Sequence, residues 1–222
     1  MTESKEKRVP KGKIKFKLEL TKEQKESKAE ILRHTISILT GVAGTSKTFL
    51  ACQTALDLHF SNRNQYERIT IMRPMVGTED NKMGALPGTL EEKVEPWMIP
   101  IRENMYQLYD KTKIDTMFKE GIIRTLPLQY CQGLTFTDEV VIIDESQNAT
   151  AEQFEMILTR LGKRSKMIFT GDPNQIQLKQ KSKSGLQRLI DIVPLTENLT
   201  NIVLTENYRN PIIREIIKLY NK

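Results

Sequence analysis

At 222 residues, with 38% hydrophobic and 28% charged side chains, the chain can bury one good core and leaves little room for a second full domain. Its longest apolar runs are strand-length, such as Val140 to Ile143, which excludes a bilayer-spanning helix, and MTESKEKRVP lacks the apolar stretch of a signal peptide. The formal charge is +6 and uneven: residues 1–30 hold ten Lys/Arg against six Asp/Glu, 10 − 6 = +4. Such a basic arm attracts a phosphodiester backbone irrespective of sequence, or is simply a solvated leader. With only Cys52 and Cys131, a disulfide framework is not expected, and the reducing cytoplasm is the expected setting.

Taken in chain order, residues 1–20 read as the basic arm, in which IKFKLEL alternates like a short amphipathic strand, and residues 21–222 as one domain. Thr21-Lys22-Glu23-Gln24 forms a capping box opening a polar helix to about His34. ISILT (36–40) is strand-like and runs directly into GVAGTSKT (41–48), after which FLACQTALDLHF has helical spacing. Ile69 to Met72 predicts a second strand, closed by Arg73-Pro74. Residues 75–89 are rich in Gly, Pro and polar side chains and read as an irregular excursion. LEEKVEPWMIPIRENMYQLYD follows as one or two helices interrupted by Pro96 and Pro100. After Gly121 come the strand IIRTLP, the loop QYCQGLTFTD, and the most apolar strand, VVII, ending in Asp144-Glu145. A helix over 150–161, the strand KMIFT ending in Gly171-Asp172, and a basic polar stretch precede a helix over 184–192. The strand NIVLT and a terminal helix with Pro211 in its first turn complete the chain. Strands alternating with helices predict a three-layer α/β domain with a mainly parallel sheet.

GVAGTSKT nearly matches the phosphate-loop pattern G-x-x-x-x-G-K-[ST]: Gly41, Lys47 and Thr48 fit, and Ser46 stands where the second glycine belongs. In such a loop the backbone of Gly41, Val42, Ala43, Gly44, Thr45 and Ser46 turns N–H groups toward phosphates at a helix N-terminus. Lys47 would reach the β and γ phosphates, and the Thr48 hydroxyl would ligate Mg²⁺. Asp144, past a buried strand, can hold the Mg²⁺ through water, while Glu145 orients or deprotonates an attacking water. Gln175 of GDPNQ could sense the γ phosphate, Arg209 of NYRN could supply transition-state charge, and Gln24 could read the adenine edge. Each has a plainer reading: a strand–helix turn that binds nothing, a helix cap, a proline turn, a surface arginine, the capping box itself. Their order along the chain is what favours a nucleoside triphosphate site. No guanine-reading N-K-x-D motif and no clear kinase lid motif is present, whereas Asp-Glu-x-Gln, G-D-x-x-Q and N-Y-R follow the order of a superfamily 1 helicase motor domain.

From Thr21 to the C-terminus the chain resembles the PhoH-like ATPases, in GVAGTSKT-LA, RPMVGTEDNKMGALPGTLEEKVEPW, QGLTF, VVIIDESQNATAEQFEMILTRLGKRSKMIFTGDPNQ, the SGL at 184–186 and NYRNPII. The resemblance implies a RecA-like fold, ATP with Mg²⁺, ATP hydrolysis, nucleic-acid handling and rings of six. Ser46, Gln132, Ser146 and Gln177 depart from the family pattern, and brevity with Lys/Asn richness resembles stand-alone forms, including those of phages. At Ser46 the tight turn favours glycine; if the backbone there is helical the added side chain costs little, its hydroxyl pointing outward or toward a phosphate, and the reading is a working site with one tolerated substitution. Polynucleotide contacts are expected from Arg73, from the 75–89 excursion with Lys82, and from the basic arm. The function implied is a Mg²⁺-dependent ATPase on single-stranded nucleic acid, RNA first. The alternative is a nucleotide-dependent binding or assembly module that hydrolyses poorly. Because one set of motor motifs is present, translocation would need a ring or a partner protein.

Overall fold

The computed structural model describes residues 19–62, 65–75 and 90–209, side chains of 90–95 and 97 excepted, together with positions 212, 216, 219 and 220. The strand expected in the arm, the 76–89 excursion with Lys82, and Pro211 lie outside the described residues.

Among the described residues the helices and strands run α1 (Lys22–Arg33), β1 (Ile36–Thr40), α2 (Lys47–Ser61), β2 (Arg68–Arg73), α3 (Leu90–Leu108), α4 (Lys111–Lys119), β3 (Ile123–Pro127), β4 (Glu139–Ile143), α5 (Ala151–Leu158), β5 (Lys166–Gly171), α6 (Leu186–Asp191) and β6 (Leu199–Val203), alternating except at α3–α4 and β3–β4. The strands form one six-stranded sheet in the order β3-β2-β4-β5-β1-β6, and every pairing is parallel. Successive side chains of a strand point to opposite faces, and the apolar runs sort accordingly. Leu39, Ile69, Ile71, Val140, Ile142 and Ile168 face a core shared with α1, α2, α3 and α4. Their neighbours Ile38, Met72, Val141, Ile143, Met167 and Phe169 face a second core under α5 and α6. This is the three-layer arrangement expected from the alternation.

Two local expectations need correction. Helix α3 runs unbroken from Leu90 to Leu108 with Pro96 and Pro100 inside it. Each proline removes a helical hydrogen bond and costs about 3 kcal/mol in an ordinary interior. Here both lie on the exposed face, where freed carbonyls reach water, while Met98, Ile101, Met105 and Leu108 bury the opposite stripe. Packing of that stripe outweighs the breakers. Helix α4 was not expected at all, although Asp110 caps it by accepting from the Lys113 N–H at 3.1 Å and Ile114 and Met117 anchor it.

A parallel sheet brings all strand C-termini to one edge, where ligands of open α/β sheets bind. That edge carries the loop after β1, Arg73 closing β2, Asp144-Glu145 after β4, Asp172 after β5 and the 204–209 segment after β6. Because β1 lies between β5 and β6, the loops of three strands converge.

Candidate active site

The phosphate loop depends on two close backbone approaches. Gly41 has φ +151°, and a Cβ there would lie 2.4 Å from the Leu204 carbonyl oxygen; Gly44 has φ +91°, and a Cβ would lie 2.8 Å from Arg209 Cγ. Neither position admits a side chain without moving the strand β6 exit. Ser46 does not meet the condition of a right-handed helical backbone under which its side chain would cost little: it sits in the left-handed region at φ 59°, ψ 23°. For a residue with a Cβ this costs roughly 1–2 kcal/mol, and it is why the pattern prefers glycine. Ser46 stands at the N-cap of α2, yet its hydroxyl caps nothing there. It accepts instead from Gln24 Nε2 at 2.9 Å. Gln24 Oε1 accepts from the Thr21 N–H at 3.1 Å, closing the expected capping box. The buried carboxamide expected to read adenine is therefore turned toward its own cap and the phosphate loop.

Lys47 folds back on the loop, donating to the carbonyls of Gly41 at 2.8 Å and Val42 at 3.1 Å, where it holds the place a nucleotide would contest. Burial is the main influence on its ammonium and lowers its proton affinity; Asp172, Glu145 and Asp144 oppose that, and Arg209 adds to it. Thr48 and Thr170 both donate to Asp144 Oδ1 at 2.7 Å. Asp144 is buried, held by neutral hydroxyls rather than by an ion pair. Among the described residues no group of three or more His, Cys, Asp or Glu could form a metal cage. A lone carboxylate beside a threonine hydroxyl suits Mg²⁺, which keeps its waters and takes phosphate oxygens as further ligands.

Glu145 follows immediately with φ 52°, ψ 39°, another left-handed non-glycine position. Gln147 Nε2 donates to its Oε2 at 2.7 Å, and Arg73 Nη2 lies 3.6 Å from its Oε1. Gln147 also accepts from the Asp172 N–H through Oε1 at 3.1 Å, joining the β4 and β5 loops. Gln175 is exposed and donates from Nε2 to Asp172 Oδ2 at 2.8 Å, so Asp172 is the GDPNQ residue that faces the buried lysine. In the sequence Asp172 and Gln147 stand only as letters of the G-D-x-x-Q and Asp-Glu-x-Gln motifs, with no role of their own, and Thr170 carries no motif signal. The adjacency of Gly171-Asp172 to a strand end was the available signal. Ser146, a departure from the family pattern, ties β4 to β5 by donating to the Thr170 carbonyl at 2.9 Å.

The segment after β6 docks on the loop of its own chain. Asn207 Nδ2 donates to the Ala43 carbonyl at 3.0 Å, the Tyr208 N–H donates to the Gly44 carbonyl at 3.0 Å, and the Arg209 side chain lies against Gly44. Helix α1 braces the segment from the other side: Glu23 accepts from the Thr205 N–H at 2.8 Å and the Glu206 N–H at 3.0 Å. Hydrogen bonding to those groups lowers the Glu23 proton affinity despite opposition from burial. Thr45 Oγ1 donates to the Val42 carbonyl at 2.9 Å and stiffens the loop from within. Of the residues expected to meet, Gln24, the loop from Gly41 to Thr48, Asp144, Glu145 and Arg209 do converge. Arg73 joins them at Glu145, and Lys82 lies outside the described residues.

The family model described as PhoH-like protein matches residues 17–221. The chain belongs to the PhoH family. The PhoH-like chain is 38% identical over 194 residues to a PhoH-like protein of Synechocystis, covering 86% of itself and 58% of that protein. It is 38% identical over 202 residues to one of Mycobacterium tuberculosis, covering 90% of itself and 56% of that protein. It is 37% identical over 201 residues to one of Bacillus subtilis, covering 90% of itself and 62% of that protein. It thus spans a little over half the length of these relatives. Among solved structures, the Pif1 helicase of Candida albicans aligns over 92% of this chain and 43% of its own, at 16% identity and a TM-score of 0.48. Pif1 of Bacteroides bound to single-stranded DNA aligns over 92% and 46%, at 16% identity and 0.44. The sheet order, with β5 between the phosphate-loop strand and the Asp-Glu strand, is that of the RecA-like α/β fold. No helix among the described residues is long and apolar enough to cross a membrane.

Proposed function

We propose that this PhoH-family protein is a Mg²⁺-dependent ATPase acting on single-stranded nucleic acid, RNA in the first instance, in the cytoplasm. The observation that carries the reading is the convergence of half-buried Lys47 and Thr48 on buried Asp144, with Thr48 and Asp144 joined at 2.7 Å. Lys47 exchanges its carbonyl partners for the β and γ phosphates, whose charge exceeds theirs. Thr48 and Asp144 would hold a magnesium ion, which neutralises charge on the β and γ oxygens. Glu145 orients the attacking water, Gln175 and Asp172 report the γ phosphate, and Arg209 places positive charge over the loop of its own chain. Adenine selection by Gln24 requires its carboxamide to leave Ser46. The polynucleotide contacts, with Arg73, Lys82 and the basic arm, are mainly to phosphates, so affinity falls steeply with salt. Motor action requires a homo-oligomeric ring, six subunits being the expected number.

A nucleotide-dependent binding or assembly module with weak hydrolysis is the second reading. It is supported by Ser46, whose hydroxyl is bonded to Gln24 and whose hydrogen bond must break before the loop can rearrange. The deciding measurement is phosphate release with and without single-stranded RNA and DNA, beside solution mass. The first reading expects stimulated turnover abolished by Lys47→Ala; unchanged turnover in that variant moves the active site elsewhere, and nucleotide binding without turnover favours the module.

A further inference from the structure

Arg73 and Glu145 meet because β2 and β4 are neighbours in register. Met72 lies opposite Ile143, and the ladder continues one step as the Asp144 N–H donates to the Met72 carbonyl at 2.8 Å. Arg73 follows opposite Asp144, and Glu145, one residue further along the exit of β4, comes within 3.6 Å of the Arg73 guanidinium. Both Glu145 oxygens are engaged, but unequally. Oε2 has a short bond from Gln147 Nε2 at 2.7 Å, whereas Oε1 faces the Arg73 guanidinium at 3.6 Å. The first distance is a firm hydrogen bond and the second is an ion pair too long to be one. Gln147 is itself buried and pinned to the β5 loop through the Asp172 N–H. So Glu145 has a fixed anchor on the nucleotide side and a loose, purely electrostatic anchor on the β2 side.

The loose partner is also the accessible one, its side chain being 27% exposed. A phosphodiester offers a guanidinium two acceptor oxygens in a planar, bidentate arrangement, with bonds much shorter than the present ion pair. A strand of polynucleotide at the C-terminal edge of the sheet therefore competes for Arg73 on favourable terms. While Arg73 stays, one Glu145 oxygen is paired toward β2.

We infer that Arg73 restrains Glu145 until a polynucleotide phosphate takes its guanidinium, so that strand binding releases the residue that orients the attacking water. The inference rests on the ATPase reading above and adds its regulation: Arg73 is a positioning residue that acts through Glu145.

The test compares the full chain with its Arg73→Ala and Arg73→Gln variants, by phosphate release from ATP with and without polyuridylate. If the restraint is real, both variants hydrolyse faster than the parent without RNA, by roughly 5- to 150-fold, the range of ordinary coupling between sites. Their further stimulation by RNA then shrinks toward none. Adding Glu145→Gln to Arg73→Ala must erase the gain, since the released rate runs through that carboxylate. A parent stimulated by RNA with variants no faster than it in RNA's absence overturns the inference and leaves the ATPase reading standing. A raised rate that survives Glu145→Gln overturns it too. A parent with no hydrolysis under either condition overturns both.

Discussion

Strand β4 has a buried carboxylate at each end, and the two are treated in opposite ways. At its start Glu139, 3% exposed, accepts from Arg68 at 2.9 Å, from Arg124 at 3.0 Å on both oxygens and from the Thr70 hydroxyl at 2.6 Å. Just past its other end Asp144, 4% exposed, has the hydroxyls of Thr48 and Thr170 on one oxygen. Removing an ion from water costs several kcal/mol, and an ion pair with good hydrogen bonds offsets it. At Glu139 the chain supplies that offset from β2 and β3, and the cluster locks the register of three strands. At Asp144 the chain supplies two hydroxyls and no direct ion pair, with Lys47 nearby, and on the proposed reading a metal ion would complete it. One end is finished by folding, and the other is finished by ligand.

The largest expected effect tests whether the upper end is completed by its own chain. Arg209→Ala should lose roughly three orders of magnitude or more in turnover while still binding ATP, the usual worth of such an arginine. Because Arg209 lies on Gly44 of the same chain, mixing this variant with Lys47→Ala should leave the mixture dead. Recovery on mixing would instead show arginines serving neighbouring subunits.

Stability should separate the two carboxylates next. Glu139→Gln leaves Arg68 and Arg124 beside a neutral amide and should destabilise by about 3 kcal/mol, the low end for a broken buried pair because Arg68 is 44% exposed. Asp144→Asn removes a carboxylate that no guanidinium or ammonium contacts directly, and should leave the unfolding midpoint in denaturant unchanged or higher, while magnesium-dependent nucleotide binding is lost. Equal destabilisation by both changes would erase the distinction between the two ends.

A smaller effect is expected at Ser46, where strain and hydrogen bond oppose each other. Ser46→Ala keeps the left-handed backbone and loses the Gln24 bond, and should cost about 1 kcal/mol. Ser46→Gly loses the bond and relieves the strain, and should stay close to the parent. Alanine proving the more stable would place this residue in a right-handed backbone. The last effect shows only with pH and concerns Lys166, whose buried ammonium donates to the carbonyls of Ile31 at 2.9 Å and of His34. Burial pulls its pKa from the ordinary 10.5 down to about 8. Between these values the unfolded chain binds the proton and the folded one does not, so stability attributable to this group rises with pH. Below about pH 8 both states are protonated and the slope vanishes. Unfolding of the parent and Lys166→Met, compared from pH 7 to 10, should show the parent gaining on the variant only above about 8; a flat difference means the ammonium stays charged throughout.

Sequence by itself determined the alternation of strands and helices, the two apolar faces of each strand, and the order of Gly41-to-Thr48, Asp144-Glu145, Gly171-Asp172 and Asn207-Arg209. These are local regularities: a period of two, a glycine at a turn, a hydrophobic run ended by charge. It also placed β6 beside the phosphate-loop strand, from the family order of motifs. What tertiary structure decided depends on neighbours far apart in the chain. Asn207 and Arg209 close over Gly44, and Gln24, 22 residues away, claims the hydroxyl of Ser46. Pro96 and Pro100 are tolerated because α3 packs on α2, which no helix propensity records. Arg68, Arg124 and Glu139 meet, as do Arg73 and Glu145, because the order β3-β2-β4 lays those strands side by side. Which charges are compensated is a property of strand adjacency, and it is adjacency that makes one end of β4 structural and leaves the other open to chemistry.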